Sequence, residues 1–294
     1  AHRLRGEGIQ SFRTTSAKAA YTVPQLFGEQ IEGFAETGFL RREEVTFERL
    51  EYNTSFGVQT RIPEIDTQAS LQYNFARLES RELEFDEPGD AERSTVASLE
   101  LTLSRDETDN PLYPRAGWDA FGSVELAAPV LGGEVQYQRF DSALGWHHAL
   151  DKDFIFHLGL RHGFVWSFEG SRTDVPINAR FFPGGENSIR GYRRGEAASL
   201  NARGEEVGSA VYALAQLQLE VRLTGDWSLN LFSDNLGVAR EIGQYPFDTN
   251  LHALGAGIAY NTPVGPIRVE YAHNLNPRGT DPDGTLHFSL GFPF

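Results

Sequence analysis

Val211-Tyr212-Ala213-Leu214-Ala215-Gln216-Leu217-Gln218-Leu219-Glu220-Val221-Arg222-Leu223 carries an apolar residue at every odd position. Its even positions include Tyr212, Gln216, Gln218, Glu220 and Arg222. Period two sends these two sets to opposite faces of an extended strand. The alternation runs for thirteen residues, whereas an ordinary strand has about 5–6. A tilted strand that crosses a bilayer needs ~9–11 residues in the hydrocarbon alone. This stretch therefore predicts a membrane-spanning β-strand.

The same pattern recurs outward from it. Phe154, Phe156, Leu158 and Leu160 share one face, and Ala97, Leu99, Leu101 and Leu103 share another. Trp227, Leu229 and Leu231 alternate with Ser228, Asn230, Phe232 and Asp234; Ile267, Val269 and Tyr271 alternate with Arg268, Glu270 and Ala272. Stretches near 31–40 and 45–62 are strand-like but switch phase. Counting by alternation gives about fourteen strands across residues 1–294. No helix-period stretch competes. Thr224-Gly225-Asp226 and Thr262-Pro263-Val264-Gly265 are tight turns, while 169–208 is much the longest connection. Short turns at one end and longer loops at the other are the outer-membrane barrel pattern. The fold class is all-β, a transmembrane antiparallel β-barrel in one domain, with lipid as its first partner.

The last segment has Leu286, Phe288, Leu290, Phe292 and Phe294 on one face, with Gly291 between them. In a soluble protein such an end is an aggregation-prone edge. In a barrel it is a closing strand, and it resembles the C-terminal signal of bacterial outer-membrane proteins. A buried terminal strand of a soluble β-domain is the alternative, which the long alternations elsewhere disfavour.

Composition bounds the rest. The formal net charge is −15, which argues against nucleic acid, because binding it takes clustered Lys and Arg. There is no Cys for a disulfide or a thiolate metal site. There is also no Met, so a processed or excerpted product is expected, and no signal pattern opens the chain. A mean hydropathy of −0.39 would suggest solubility in a helical protein, but a barrel strand faces lipid with alternate residues only. The 21 Phe, 10 Tyr and 4 Trp suit lipid-facing positions and soluble cores alike.

The most specific stretch is Arg180-Phe181-Phe182-Pro183-Gly184-Gly185-Glu186-Asn187-Ser188-Ile189-Arg190-Gly191-Tyr192. It resembles the sixth-loop signature of the BamA/TamA superfamily, a Gly-Gly pair followed by a hydrophobic-Arg-Gly-aromatic tetrad. Gly184 and Gly185 fill the pair, and Ile189, Arg190, Gly191 and Tyr192 fill the tetrad. The resemblance implies that the 169–208 loop, extracellular by origin, folds into the barrel and that its Arg meets acidic residues on the following strands. A guanidinium is always charged and needs a carboxylate or water. Glu220 and Asp234 lie on the polar faces of the next two strands and are the candidate lumenal partners. A solvated loop position is the plain alternative for Arg190.

Two further stretches extend the resemblance. Asp106-Glu107-Thr108-Asp109-Asn110-Pro111-Leu112-Tyr113-Pro114-Arg115-Ala116-Gly117 looks like a family turn, and Thr262 to Tyr271 resembles its penultimate hairpin. Tyr21-Thr22-Val23-Pro24-Gln25-Leu26-Phe27-Gly28 matches more weakly. Family barrels have sixteen strands, with five after the long loop. Five are counted after it here and about nine before it, so either two N-terminal strands are missing or strands are merged in the first third. The POTRA domains that normally precede the barrel are absent from this sequence.

Catalysis has little support, and no catalytic, cofactor or metal residues are assigned. Nucleophile-elbow, P-loop and zincin motifs are all absent. His147 and His148 are adjacent and face opposite ways on a strand, so they cannot share a metal. His157 shares a face with Arg161. Glu43-Glu44 and Glu205-Glu206 read as solvated turn charges rather than acid–base pairs. The resemblance implies an outer-membrane protein insertion, assembly or translocation factor. It would work through a lateral seam between first and last strands, with unfolded client proteins and accessory proteins as partners. Gly255, Gly257 and Gly291 lie in the last strands, where Gly permits bending; Gly291 is the candidate hinge, and steric room is the alternative. A two-partner-type secretion pore for an exoprotein is the second reading. A passive porin is the third, and should lack the Arg-Gly-Tyr loop.

Overall fold

The structure, a computed structural model, describes residues 2–11, 13–26, 31–81, 93–167, 175–244 and 247–291. Phe27, Gly28, residues 169–174 of the long loop, Phe292 and Phe294 lie outside the described residues. The first nine strands are β1 (Arg3–Gln10), β2 (Thr14–Val23), β3 (Ile31–Glu43), β4 (Glu48–Ile62), β5 (Thr67–Arg81), β6 (Arg93–Asp106), β7 (Ala116–Ala127), β8 (Tyr137–Ala149) and β9 (Phe154–Trp166). After the long loop come β10 (Val211–Arg222), β11 (Trp227–Ala239), β12 (Thr249–Thr262), β13 (Gly265–Asn274) and β14 (Gly284–Leu290). All fourteen form one sheet in chain order. Neighbouring antiparallel strands need only a hairpin turn, so short connections dictate a meander.

Fourteen strands among the described residues equal the number counted from alternation. The stretches at 31–40 and 45–62 are each a single strand, β3 and β4. Merged strands therefore do not account for the difference from sixteen. No helix of the described residues is long and apolar enough to cross a membrane.

Close contacts divide the chain into two compact units. One comprises residues 1–105, 121–141 and 164–180. Within it β1 to β6 pair antiparallel, with Arg3 opposite Thr22 and Gln68 opposite Ser104 at the two ends of the series. Polar groups meet on one face: Gln72 and Asn74 donate to Glu100 at 2.7 and 3.2 Å, and Ser98 donates to Glu125 at 2.7 Å. Phe56, Leu71, Leu99, Leu101 and Leu103 are exposed on the other. The short turn Ile177–Ala179 is buried, and Arg49 donates to the carbonyl of Asn178.

The other unit comprises residues 106–120, 142–163 and 181–294. Its strands β10 to β14 pair antiparallel, placing Gln216 opposite Asp234, Asp234 opposite Ala253 and Gly257 opposite Glu270. Burial here is inverted relative to a soluble sheet. Gln216, Gln218, Asn230, Asp234 and Glu270 are buried, while Leu217, Leu231, Ile258, Val269 and Tyr271 are exposed. The polar face is covered by the loop that follows β9. An apolar face left open beside a buried polar one is stable only against lipid, where hydrocarbon replaces a protein core.

Candidate functional site

The covering loop is pinned by its own backbone. Gly184 and Gly185 adopt φ of +125° and +101°, a region glycine enters without a Cβ penalty. The turn they begin is closed by Gly185 N–H to Tyr192 O at 3.0 Å and by Ser188 N–H to Gly185 O at 3.0 Å. Gln216 of β10 donates to the carbonyl of Ser188 at 2.8 Å. Ile189 and Tyr192 are wholly buried among Leu214, Phe232, Leu236, Leu251 and Ala253. The tetrad thus drives two apolar side chains into the sheet and carries Arg190 between them.

Arg190 reaches three strands. Its Nε and Nη2 donate to Asp234 Oδ2 and Oδ1 of β11 at 2.8 and 2.7 Å. Its backbone N–H adds a third bond to Asp234 Oδ2 at 2.9 Å. The remaining nitrogen, Nη1, donates to Gln218 of β10 at 2.8 Å and to Glu270 of β13 at 3.3 Å. Arg268 Nη1 donates to the other oxygen of Glu270 at 2.9 Å. Two guanidinium groups thus face two carboxylates, and the cluster is neutral in sum. Neutrality matters because an unbalanced buried charge costs several kcal/mol. The Arg190 guanidinium also lies 3.4 Å from the Phe232 ring centroid, a cation–π arrangement.

Space for this cluster comes from glycines in β12. A Cβ at Gly255 would collide with the Phe232 ring, and one at Gly257 with the Glu270 side chain. These positions give the cluster steric room. Gly191 is equally confined, because a Cβ there would collide with the Asn274 side chain.

The end of the chain holds the same loop. Asn274 of β13 and Thr285 of β14 both donate to the carbonyl of Gly191 at 2.8 Å. His287 Nε2 of β14 donates to the carbonyl of Arg190 at 2.8 Å. Tyr192 donates its hydroxyl to Asp281 at 2.9 Å. Burial, then the Asp281 carboxylate beside it, push the Tyr192 phenol well above its ordinary range. Arg278 pairs with Asp281 at 2.9 Å and donates to the carbonyls of Ala198 and Glu196 at 2.6 and 2.7 Å.

Of the two acidic partners predicted for Arg190, the structure places Asp234 against it and Glu220 elsewhere. Glu220 is on the expected face but two residues farther along β10 than Gln218, roughly 6.6 Å along a strand. Its Oε2 lies 3.5 Å from His157 Nε2, and His157 Nδ1 lies 2.8 Å from His147 Nδ1. His147 is buried and His148 exposed, as adjacent strand residues must be. Gln218, Glu270, Arg268 and His287 belong to the site without having been singled out. Glu270 carried a signal, an acid on the polar face of an alternating strand.

Leu286, Phe288 and Leu290 of β14 share one exposed face. Gly291 follows the end of the strand with φ of +103°, and its N–H donates to Pro266 O at 2.8 Å. Among the described residues no group of three or more His, Cys, Asp or Glu is placed to hold a metal ion.

This arrangement has relatives. The Omp85 superfamily domain matches residues 8–294. The outer membrane protein assembly factor BamA of Neisseria meningitidis serogroup B is 24% identical over 223 residues, 65% of this chain and 28% of that protein. BamA of Neorickettsia risticii is 27% identical over 233 residues, 71% of this chain and 30% of that protein. The chain thus spans less than a third of the length of these curated relatives. Among solved structures, BamA from Haemophilus ducreyi lacking POTRA domains 1-3 superposes with a TM-score of 0.83 at 16% identity, covering 99% of this chain and 64% of that one. CdiB from Acinetobacter baumannii gives 0.52 at 12% identity, over 98% and 59% of the two chains. The first of these shows the fold, an all-β outer-membrane barrel type. With the family match running over almost its whole length, the chain belongs to the Omp85 superfamily.

Proposed function

We propose that this chain is the barrel of an outer-membrane protein insertion and assembly factor that works without bond chemistry. The observation that carries the reading is the loop anchor, in which Arg190 is buried against Asp234 with Gln218 and Glu270 completing its shell. A loop held this firmly covers the polar face of β10 to β14, unlike the open wall of a passive porin. The better superposition on BamA than on CdiB favours insertion over two-partner secretion of an exoprotein. The chain is integral to the bacterial outer membrane, with lipid against its exposed apolar face.

In this reading a client strand templates on a free strand edge at a seam between the first and last strands of the barrel. Accessory periplasmic or outer-membrane proteins would deliver clients.

The test is an engineered disulfide between the first and last strands of the barrel, in a sequence free of cysteine. Insertion of an unfolded outer-membrane protein into proteoliposomes should stop when the pair is oxidised and resume on reduction. Undiminished insertion with the seam locked would rule out the lateral gate. A large, stable conductance from the purified barrel would instead favour a pore.

A further inference from the structure

Behind the loop anchor, on the outer face of β8 to β12, lies a groove of about 500 Å³. Leu144 of β8 and Leu160 of β9 line one side, and Ala213 and Ala215 of β10 the middle. Asn235 of β11, with Asn250 and His252 of β12, lines the other side. Phe247 borders it from the connection after β11, its ring packed where a Cβ of Gly237 would stand. The first side is stitched across three strands. Ser142 donates to the carbonyl of His162 at 3.1 Å, and His162 Nδ1 donates to the carbonyl of Tyr212 at 2.8 Å.

Strand register orders the groove from polar to apolar. Nearest the long loop, Ala213 is opposite Gly237, and Gly237 opposite Asn250. One row farther in, Ala215 is opposite Asn235, and Asn235 opposite His252. The next row is Leu217, Ser233 and Leu254, and both leucines are exposed. Asn235 Nδ2 donates to Ser233 Oγ at 3.2 Å, which turns its Oδ1 toward His252 Nδ1 at 2.8 Å. An amide oxygen only accepts, so Nδ1 carries the hydrogen, and in the neutral ring Nε2 is a bare acceptor. That atom has no partner among the described residues. On a face that meets hydrocarbon, an unanswered polar atom is costly. Among the described residues the lining has no Asp, Glu or Lys. Its single Arg, Arg161, shares the lumenal face of β9 with His157 by alternation.

We propose that this groove binds one glycolipid molecule, a lipid whose headgroup is uncharged and rich in hydroxyl groups. Its acyl chains would run from Ala213 and Ala215 toward Leu217 and Leu254, continuous with the face that already meets lipid. A sugar hydroxyl would donate to His252 Nε2, and the exposed Asn250 amide beside it would bond a second. A hydroxyl both donates and accepts, so it answers imidazole and amide alike. An ammonium headgroup finds no carboxylate here, and a phosphate finds no Lys or Arg on this face of the sheet. The volume is within the range of ligand sites, about 300–1,000 Å³. The assignment rests on the lipid-facing orientation of the sheet and goes beyond the assembly reading.

The test uses the purified protein in mixed micelles and reads retained lipid by native mass spectrometry. Monogalactosyl diacylglycerol, phosphatidylethanolamine and phosphatidic acid with identical acyl chains are offered at equal concentration. One galactolipid should be retained in preference to the other two. His252→Phe removes the acceptor and should weaken that retention about fivefold, the worth of one neutral hydrogen bond. His252→Gln, whose amide oxygen still accepts, should recover most of it. Ala215→Phe fills the groove and should abolish retention. All three variants lie on the face opposite the loop anchor, so the protease resistance of 184–192 should stay unchanged, which separates a site effect from misfolding. Preference for phosphatidylethanolamine or phosphatidic acid, or equal retention of all three lipids, would overturn the headgroup assignment. Undiminished retention in Ala215→Phe would overturn the groove itself.

Discussion

Arg190 and Asp234 meet through three hydrogen bonds of 2.7 to 2.9 Å, and neither side chain is exposed. The pair joins the tip of a long loop to the middle of β11, 44 residues on in sequence. Removing one member leaves the other charged and buried, a cost of about 3–5 kcal/mol. Asp234→Ala is expected to release the loop, seen as new protease cleavage within 184–192 while the sheet stays intact. Arg190→Lys should release it nearly as well, because a point charge cannot span both carboxylate oxygens. In a double-mutant cycle the pair should show a coupling of roughly 0.5–3 kcal/mol. Strictly additive losses would mean that the two side chains do not hold the loop together.

Glu270 and Glu220 separate two readings of the same face. Glu270 shares Arg190 with Asp234, whereas Glu220 faces His157. Glu270→Gln should loosen the loop in the same cleavage assay. Glu220→Gln should leave the loop protected, altering instead the environment of His157, which an imidazole NMR titration reports. Loop release in Glu220→Gln with none in Glu270→Gln would reverse these assignments.

The difference between these two acids shows what alternation reveals. Period two states which face a side chain is on, and Glu220, Asp234 and Glu270 all share the polar face. It does not state the height along the strand at which a loop from elsewhere arrives. That height is set by the stagger of β10 against β11 and β13, where Gln216 is opposite Asp234 and Gly257 opposite Glu270. The barrel itself was legible because lipid enforces alternation across each whole strand, as in β10 and β13. The first third was noisier because β3 and β4 mix exposed and half-buried residues on both faces. His287 gave no signal at all. It serves the site by donating to a backbone carbonyl, which any loop residue could supply.

Tyr192 gives the loop a pH limit. Burial and the Asp281 carboxylate raise its phenol above the unfolded value near 10. A group whose folded pKa is raised contributes stability that is fully present below the unfolded pKa. That stability is lost as pH rises through the folded value. The loop should therefore keep its protease resistance to about pH 10 and lose it only in stronger alkali, in step with phenolate absorbance. Tyr192→Phe should remove the alkaline step and lower the resistance at neutral pH. An alkaline step that survives in Tyr192→Phe would assign it to another group.

Gly191 tests whether the loop fits its berth as tightly as the geometry states. Its carbonyl accepts from Asn274 and Thr285, and its missing Cβ leaves room for the Asn274 side chain. Gly191→Ala is expected to cost about 1–3 kcal/mol by overpacking. Trimming the opposing side chain in a Gly191→Ala, Asn274→Ala double variant should recover part of that cost. Thermal loss of heat-modifiable mobility on a gel measures both. No recovery would mean that the penalty arises in the loop backbone rather than against β13.

The exposed apolar face yields the remaining prediction, because it distinguishes lipid from water as the neighbour of β13. Val269 and Glu270 are adjacent, yet Val269 is 46% exposed and Glu270 not at all. In water, Val269→Arg would be a neutral surface change, within about 0.5 kcal/mol. Against hydrocarbon the same substitution costs about 2–4 kcal/mol near the midplane and falls toward the interfaces. Val269→Arg should therefore lower barrel stability in bilayers by that amount. In a detergent whose headgroups reach the guanidinium, the loss should be much smaller. Leu290→Arg should cost less than Val269→Arg, because it lies opposite Ile267, nearer the β12–β13 turn. Equal, negligible losses at both positions in bilayers would mean that this face is wetted, and the spanning assignment of β13 would fall with it.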